Sequence, residues 1–190
     1  MIVMKSKNLK YLIDSSTSKL LIWKDEVYFD KLEKGLKKKE VEKQQIHEKL
    51  TIIDEGLKLK YQSNGAPYAF NSKFTHVSIS HYQSYFALYL SNSPIGVDIQ
   101  IFKESLIKGK HYFINKNEES AIVLTKINAH LIWTAKEAFY KKYSGEIEDL
   151  KNEVSILEID VEEKLIRLKY QEKLFMLSFA VFDNYVVTWA

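Results

Sequence analysis

The chain has 190 residues, 46% of them hydrophobic and 13% aromatic, enough for one sizeable core or two small ones and too apolar for a disordered chain. A net charge of +3 is too mild to imply a nucleic-acid partner, and the absence of cysteine excludes disulfides and thiolate metal sites. No apolar run is long enough to span a membrane and the opening residues lack a signal-peptide layout, so a cytoplasmic protein without a membrane partner is expected.

In chain order, residues 19–24 read as a strand, and residues 25–37 and 39–55 as two helices with Gly35 and Gly56 near their ends. The second helix carries an apolar stripe at Ile46, Leu50 and Ile53, with His47 beside it. The lysine excess lies around Lys34, Lys37, Lys38 and Lys39, either a solvated helix face or an attractor for an acidic or phosphorylated partner. Residues 57–61 alternate like a strand, and a turn at Ser63, Asn64 and Gly65 leads into a loop at Ala66-Pro67-Tyr68. Residues 75–80 and 84–90 read as strands broken at His81-Tyr82-Gln83, and the turn at residues 91–94 leads to a third strand at 95–101. The three together predict an antiparallel meander.

A short helix is predicted over 104–109, and a longer one over 115–126, capped by Asn115 with Glu118 in capping-box position. The next helix follows Asn128 and holds Trp133-Thr134-Ala135-Lys136-Glu137-Ala138-Phe139-Tyr140-Lys141. Trp133, Glu137 and Lys141 recur every fourth residue and share a face; Lys136 and Tyr140 lie on the adjacent stripe. Beyond Gly145 four strands are predicted, over 154–160, 164–170, 173–182 and 185–190.

Two readings of the Glu137 face stand side by side. A Glu and a Lys four apart make an ordinary surface pair worth about 0.3 kcal/mol, with Trp133 as a core anchor. The alternative comes from Ile95-Gly96-Val97-Asp98-Ile99-Gln100-Ile101, whose alternation sends Gly96, Asp98 and Gln100 to the side opposite the apolar residues. Asp98 there is either a strand-end turn residue or one of two carboxylates, with Glu137, that meet across a cleft and hold Mg²⁺ together with substrate phosphates. The five histidines show no HxH or HxxxH spacing, and no G-x-G-x-x-G, P-loop or G-x-S-x-G occurs. A zinc enzyme, the classical nucleotide-binding α/β folds and serine hydrolases are therefore not first choices. An RNA-binding module would rest only on lysine density and aromatics.

A shift of one hundred residues aligns Val77-Ser78-Ile79-Ser80 with Leu177-Ser178-Phe179-Ala180, placing Tyr85 on Tyr185, Phe86 on Val186 and Tyr89 on Trp189. Either two amphipathic strands coincide by chance, or the chain is an internal duplication. His81 falls on Val181, so any chemistry there is not duplicated.

Gly96-Val97-Asp98-Ile99-Gln100 followed by Trp133-Thr134-Ala135-Lys136-Glu137-Ala138-Phe139-Tyr140-Lys141 resembles the 4'-phosphopantetheinyl transferase superfamily, whose pattern is G-[VI]-D-[IV]-E and then W-[ST]-x-K-E-[AS]-x-x-K. Val77-Ser78-Ile79-Ser80-His81 resembles the family's strand ending in Ser-His. Phe113-Ile114-Asn115-Lys116-Asn117-Glu118 is similar to its aromatic-x-[ST]-x-x-E helix start. The ordered set covers residues 65 to 145 and is more specific than any one member.

The resemblance, to the larger surfactin-synthetase-activating type, implies an α+β fold of two similar halves, residues 1–95 and 96–190, related by pseudo-twofold symmetry with the active site in the cleft between them. It implies transfer of 4'-phosphopantetheine from coenzyme A to a serine of an acyl or peptidyl carrier protein, releasing 3',5'-ADP, by a monomer. Asp98, Glu137 and Gln100 would be the Mg²⁺ ligands, Glu137 the acceptor of the serine proton, and Lys141 the partner of the pyrophosphate. His81 and Ser80 would contact coenzyme A phosphates, with Lys136 and Lys49 as further phosphate ligands. Three departures stand out: Gln100 where the family commonly has Glu, Ala66 where it often has Lys, and Lys49 as the nearest match to a helix Arg. The rival reading is a protein that binds coenzyme A or a carrier without turnover.

Overall fold

The computed structural model describes residues 9–190, which divide into two compact units, the first ending at Pro94 and the second Ile95–Ala190. Both are α+β.

In the first unit, β1 (Leu9–Asp14) and β2 (Ser18–Lys24) form a hairpin, helices α1 (Tyr28–Glu33) and α2 (Lys38–Ile53) follow, then strands β3 (Lys58–Tyr61), β4 (Pro67–Phe70), β5 (His76–Tyr82) and β6 (Tyr85–Ser91). The main sheet runs β1-β2-β6-β5, all antiparallel, and β3 pairs with β4 as a separate ribbon. Alternation along β2 and β6 points Leu21, Trp23, Phe86, Leu88 and Leu90 to one core with Val41, Ile46 and Leu50 of α2. Trp23 stacks on Phe86 at 5.3 Å, and its indole N–H donates to the buried amide of Gln45 at 3.2 Å. The helix predicted over 25–37 is shorter at both ends. Asp25 is buried and paired with Lys31 at 3.0 Å, and Gly35 takes φ +87°, a conformation that ends a helix.

The second unit begins with β7 (Val97–Ile101), then α3 (Glu104–Lys108), a 3₁₀ turn (Lys110–Tyr112), α4 (Lys116–Ala121), α5 (Lys126–Lys142), α6 (Leu150–Glu153) and strands β8 (Ser155–Asp160), β9 (Leu165–Tyr170), β10 (Lys173–Val181) and β11 (Tyr185–Trp189). Its sheet order is β7-β11-β10-β9-β8, antiparallel throughout. Leu131, Ile132, Ala135, Ala138 and Phe139 of α5 pack with Ile166, Leu168, Leu177, Phe179 and Val186 of the sheet.

The meander expected of residues 75–101 does not form. β7 leaves β6 and pairs with β11 at the far end of the sequence, because β6 has both edges taken by β2 and β5. The strand also runs through His81 and Tyr82, with Gln83 taking the turn at φ +52°. The helix expected over 115–126 stops at Ala121. Ile122 is extended, and Thr125 caps the next helix by accepting the amide of Asn128 at 3.1 Å, so the Trp133 helix starts at Lys126, before Asn128.

The two hairpins share a register. Ser78 pairs with Tyr89 and His81 with Phe86 in β5–β6; Ser178 pairs with Trp189 and Val181 with Val186 in β10–β11. Residues one hundred apart therefore hold the same pairing positions.

Candidate functional site

In the second unit the site residues sit where β7 passes under α5. Register decides which way they face: Asp98 lies opposite Thr188 and Gln100 opposite Val186, and antiparallel partners share a sheet face. Val186 belongs to the core beneath α5, and the hydroxyl of Thr188 meets that of Thr134 on α5 at 2.8 Å. Asp98 and Gln100 thus point toward the helix.

Gly96 makes the approach possible. A Cβ there would lie 1.8 Å from the carbonyl oxygen of Ala138 and 2.8 Å from the amide nitrogen of Lys142, so only glycine lets the strand pass so close to the helix backbone. The consequence is that Lys141 reaches back across the crossing. Its ammonium donates to Asp98 Oδ1 at 2.7 Å and to the carbonyl of Val97 at 3.1 Å.

Glu137 stands one turn before Lys141 and is half-buried. Burial pushes its carboxyl up from the ordinary value, the nearby charge of Asp98 pushes it further the same way, and Lys141 pulls against both. Strand and helix therefore place two carboxylates and one ammonium in a single electrostatic neighbourhood. Gln100 adds an amide: the residue is 5% exposed, and its Oε1 is buried with no hydrogen-bond partner among the described residues. An orphaned amide oxygen costs about 1–3 kcal/mol, so this one is poised for a donor or a cation. Among the described residues no three His, Asp or Glu side chains form a metal-holding group.

Lys136, expected to meet a phosphate, cannot. It is fully buried, and its ammonium donates to Glu118 Oε2 at 3.0 Å and to the carbonyls of Phe113 at 2.8 Å and Lys151 at 2.9 Å, with Glu118 Oε1 paired at 2.9 Å. Burial lowers its pKa while Glu118 opposes the change. Glu118 also completes a capping box with Asn115 and accepts the amide of Ile156 at 2.7 Å. Capping spacing announced the local half of this knot; the ion pair to a helix eighteen residues on left no local trace. Trp133 packs edge-on against Phe113 at 5.2 Å.

The first unit holds a pocket of about 1060 Å³ formed by α2, the β3–β4 ribbon and β5. Its lining mixes apolar Ile46, Leu59 and Ile79 with Lys39, Lys43, Lys58 and His81. His81 faces Glu42, with Nδ1 3.3 Å from Oε1. The Ser80 hydroxyl and the Lys49 ammonium, two expected phosphate contacts, lie elsewhere; the Ser80 backbone remains beside His81. Ser80 is buried and alternates to the opposite sheet face, so its hydroxyl cannot join His81. Lys49 extends over the Trp23 ring at 5.9 Å and does not line the pocket. Three α2 cations line it, Lys38, Lys39 and Lys43, and two of them, Lys39 and Lys43, were recognisable from spacing, since they share a face with Ile46 and His47.

The chain matches no known protein-family model and no curated protein.

Proposed function

We propose that this protein transfers the 4'-phosphopantetheinyl group of coenzyme A to a serine of an acyl or peptidyl carrier protein, releasing 3',5'-ADP. The observation that carries the reading is the convergence of Asp98 on β7 and Glu137 on α5, with Lys141 bound to the first. Two carboxylates and an orphaned amide oxygen are a donor set that suits Mg²⁺, which tolerates few protein ligands and retains waters. Asp98, Glu137 and Gln100 would hold the ion; when bound, it neutralises charge on the pyrophosphate.

The remaining work belongs to the side chains. The serine oxygen forms a bond to the β-phosphorus, and the bond from that phosphorus to the bridging oxygen breaks, its electron pair leaving with 3',5'-ADP. The serine proton passes to Glu137, directly or through water; a carboxyl held above its ordinary value is the better acceptor. Lys141 keeps Asp98 in place. In the first unit, Lys39, Lys43 and Lys58 supply positive charge for the nucleotide phosphates, with His81 beside them, over an apolar floor that suits a base. The shared hairpin register supports reading the two units as duplicated halves.

A second reading, binding of coenzyme A without turnover, is favoured by Gln100 in place of a carboxylate and Ala66 in place of a lysine. Mass spectrometry of an apo-carrier after incubation with coenzyme A, MgCl₂ and the protein separates the two. The transferase reading requires a gain of one phosphopantetheine, lost in Glu137→Gln with the melting transition retained. Coenzyme A binding without a gain selects the second reading, and no binding removes both.

A further inference from the structure

One acidic side chain lines the pocket of the first unit otherwise marked by lysine and histidine, and its placement has a function. Glu42 sits on α2 with its side chain 12% exposed. Its Oε1 gathers three groups from three elements: the Tyr28 hydroxyl of α1 donates at 3.3 Å, His81 Nδ1 of β5 stands at 3.3 Å, and Lys38 at the start of α2 reaches to 3.7 Å. Tyr28 is fully buried, and burial with the Glu42 charge holds its hydroxyl up to about 12, so it remains a donor and fixes the carboxylate from below. The imidazole is backed by Phe86 at 5.8 Å. With Nδ1 turned to a carboxylate that is itself held, the ring orientation is set, and Nε2 is the nitrogen on the opposite edge.

We propose that Glu42 is a positioning residue that fixes the His81 ring so that Nε2 meets a phosphate in this pocket. The inference rests on the reading that the pocket takes the nucleotide end of coenzyme A. A carboxylate beside an anion site should, by charge alone, weaken anion binding, and removing it should tighten binding. Positioning through His81 predicts the reverse sign, which makes the two separable.

The test is calorimetric titration of the full chain with adenosine 3',5'-bisphosphate and with coenzyme A, using wild type, Glu42→Gln, His81→Ala and the double variant. Glu42→Gln should weaken binding about fivefold in the wild-type background and leave it unchanged or tighter in the His81→Ala background. Glu42→Asp, which keeps the charge on a shorter arm, should fall between wild type and Glu42→Gln. Thermal melts establish that each variant is folded. Tighter binding by Glu42→Gln, or the same weakening with and without His81, overturns the inference while leaving the pocket assignment intact. No binding of either ligand by wild type overturns both.

Discussion

Lys136 is the sharpest place to test the structure, because motif resemblance and geometry give it opposite roles. Lys136→Met keeps a long unbranched chain and removes the ammonium. The variant leaves Glu118 buried with, among the described residues, the amides of Asn115 at 2.8 Å and Ile156 at 2.7 Å for compensation; it strips the Phe113 carbonyl of its ammonium donor and leaves the Lys151 carbonyl only the Asn115 side-chain amide at 3.1 Å. Stripping one partner from a fully buried ion pair costs about 3–5 kcal/mol. For a chain of this size each kcal/mol moves the melting temperature by about 2–4 °C, so a fall of roughly 6–20 °C is expected. Adding Glu118→Gln removes the uncompensated charge and should recover part of the loss. Urea and thermal melts measure the stability, and coenzyme A titration on the folded fraction measures the site. If Lys136→Met melted like wild type but lost coenzyme A affinity, Lys136 would be a phosphate ligand and the knot with Glu118 would carry no stability.

Gln100→Glu adds a third carboxylate beside Asp98 and Glu137. It should lower the Mg²⁺ concentration for half-maximal transfer, and it should lower the melting temperature without Mg²⁺ and raise the gain on adding it; melts insensitive to Mg²⁺ in both proteins would place Gln100 outside the site. His130 is buried, with Nε2 accepting the amide of Lys103 at 3.0 Å and Nδ1 2.7 Å from the carbonyl of Lys126, an arrangement that needs the neutral ring. Burial lowers its pKa below 6.5, so the unfolded chain binds the proton first. Its contribution is intact above about pH 6.5 and is lost as pH falls toward the folded-state value, and denaturant melts from pH 7.5 to 5 should show less acid loss in His130→Gln than in wild type.

How much of this was legible in the sequence depends on the range of the interaction. Strands β2, β3, β5, β6 and β8–β11 follow local alternation, and all lie within two residues of their predicted bounds. β1 and β4 escaped: Leu9–Asp14 and Pro67–Phe70 are short, mostly half-exposed strands whose alternation is weak, and only the pairing partner makes them strands. Sheet order escaped for a related reason. Nothing local in Val97–Ile101 says that its neighbour is Tyr185–Trp189 rather than the strand just before it.

The two lysines of the Trp133 helix show the limit for a site. Lys136 and Lys141 are five residues apart, so they project about 140° from one another around the axis, and one helix serves two environments. The stripe bearing Lys136 turns inward to Phe113, Glu118 and Lys151, where every acceptor comes from outside the helix. The stripe bearing Lys141 and Glu137 turns to β7, where Gly96 alone permits the contact. Helical periodicity separates the two stripes but does not say which carries ligands. The missing information was a glycine forty-five residues upstream of Lys141, whose value lies in the atoms it lacks.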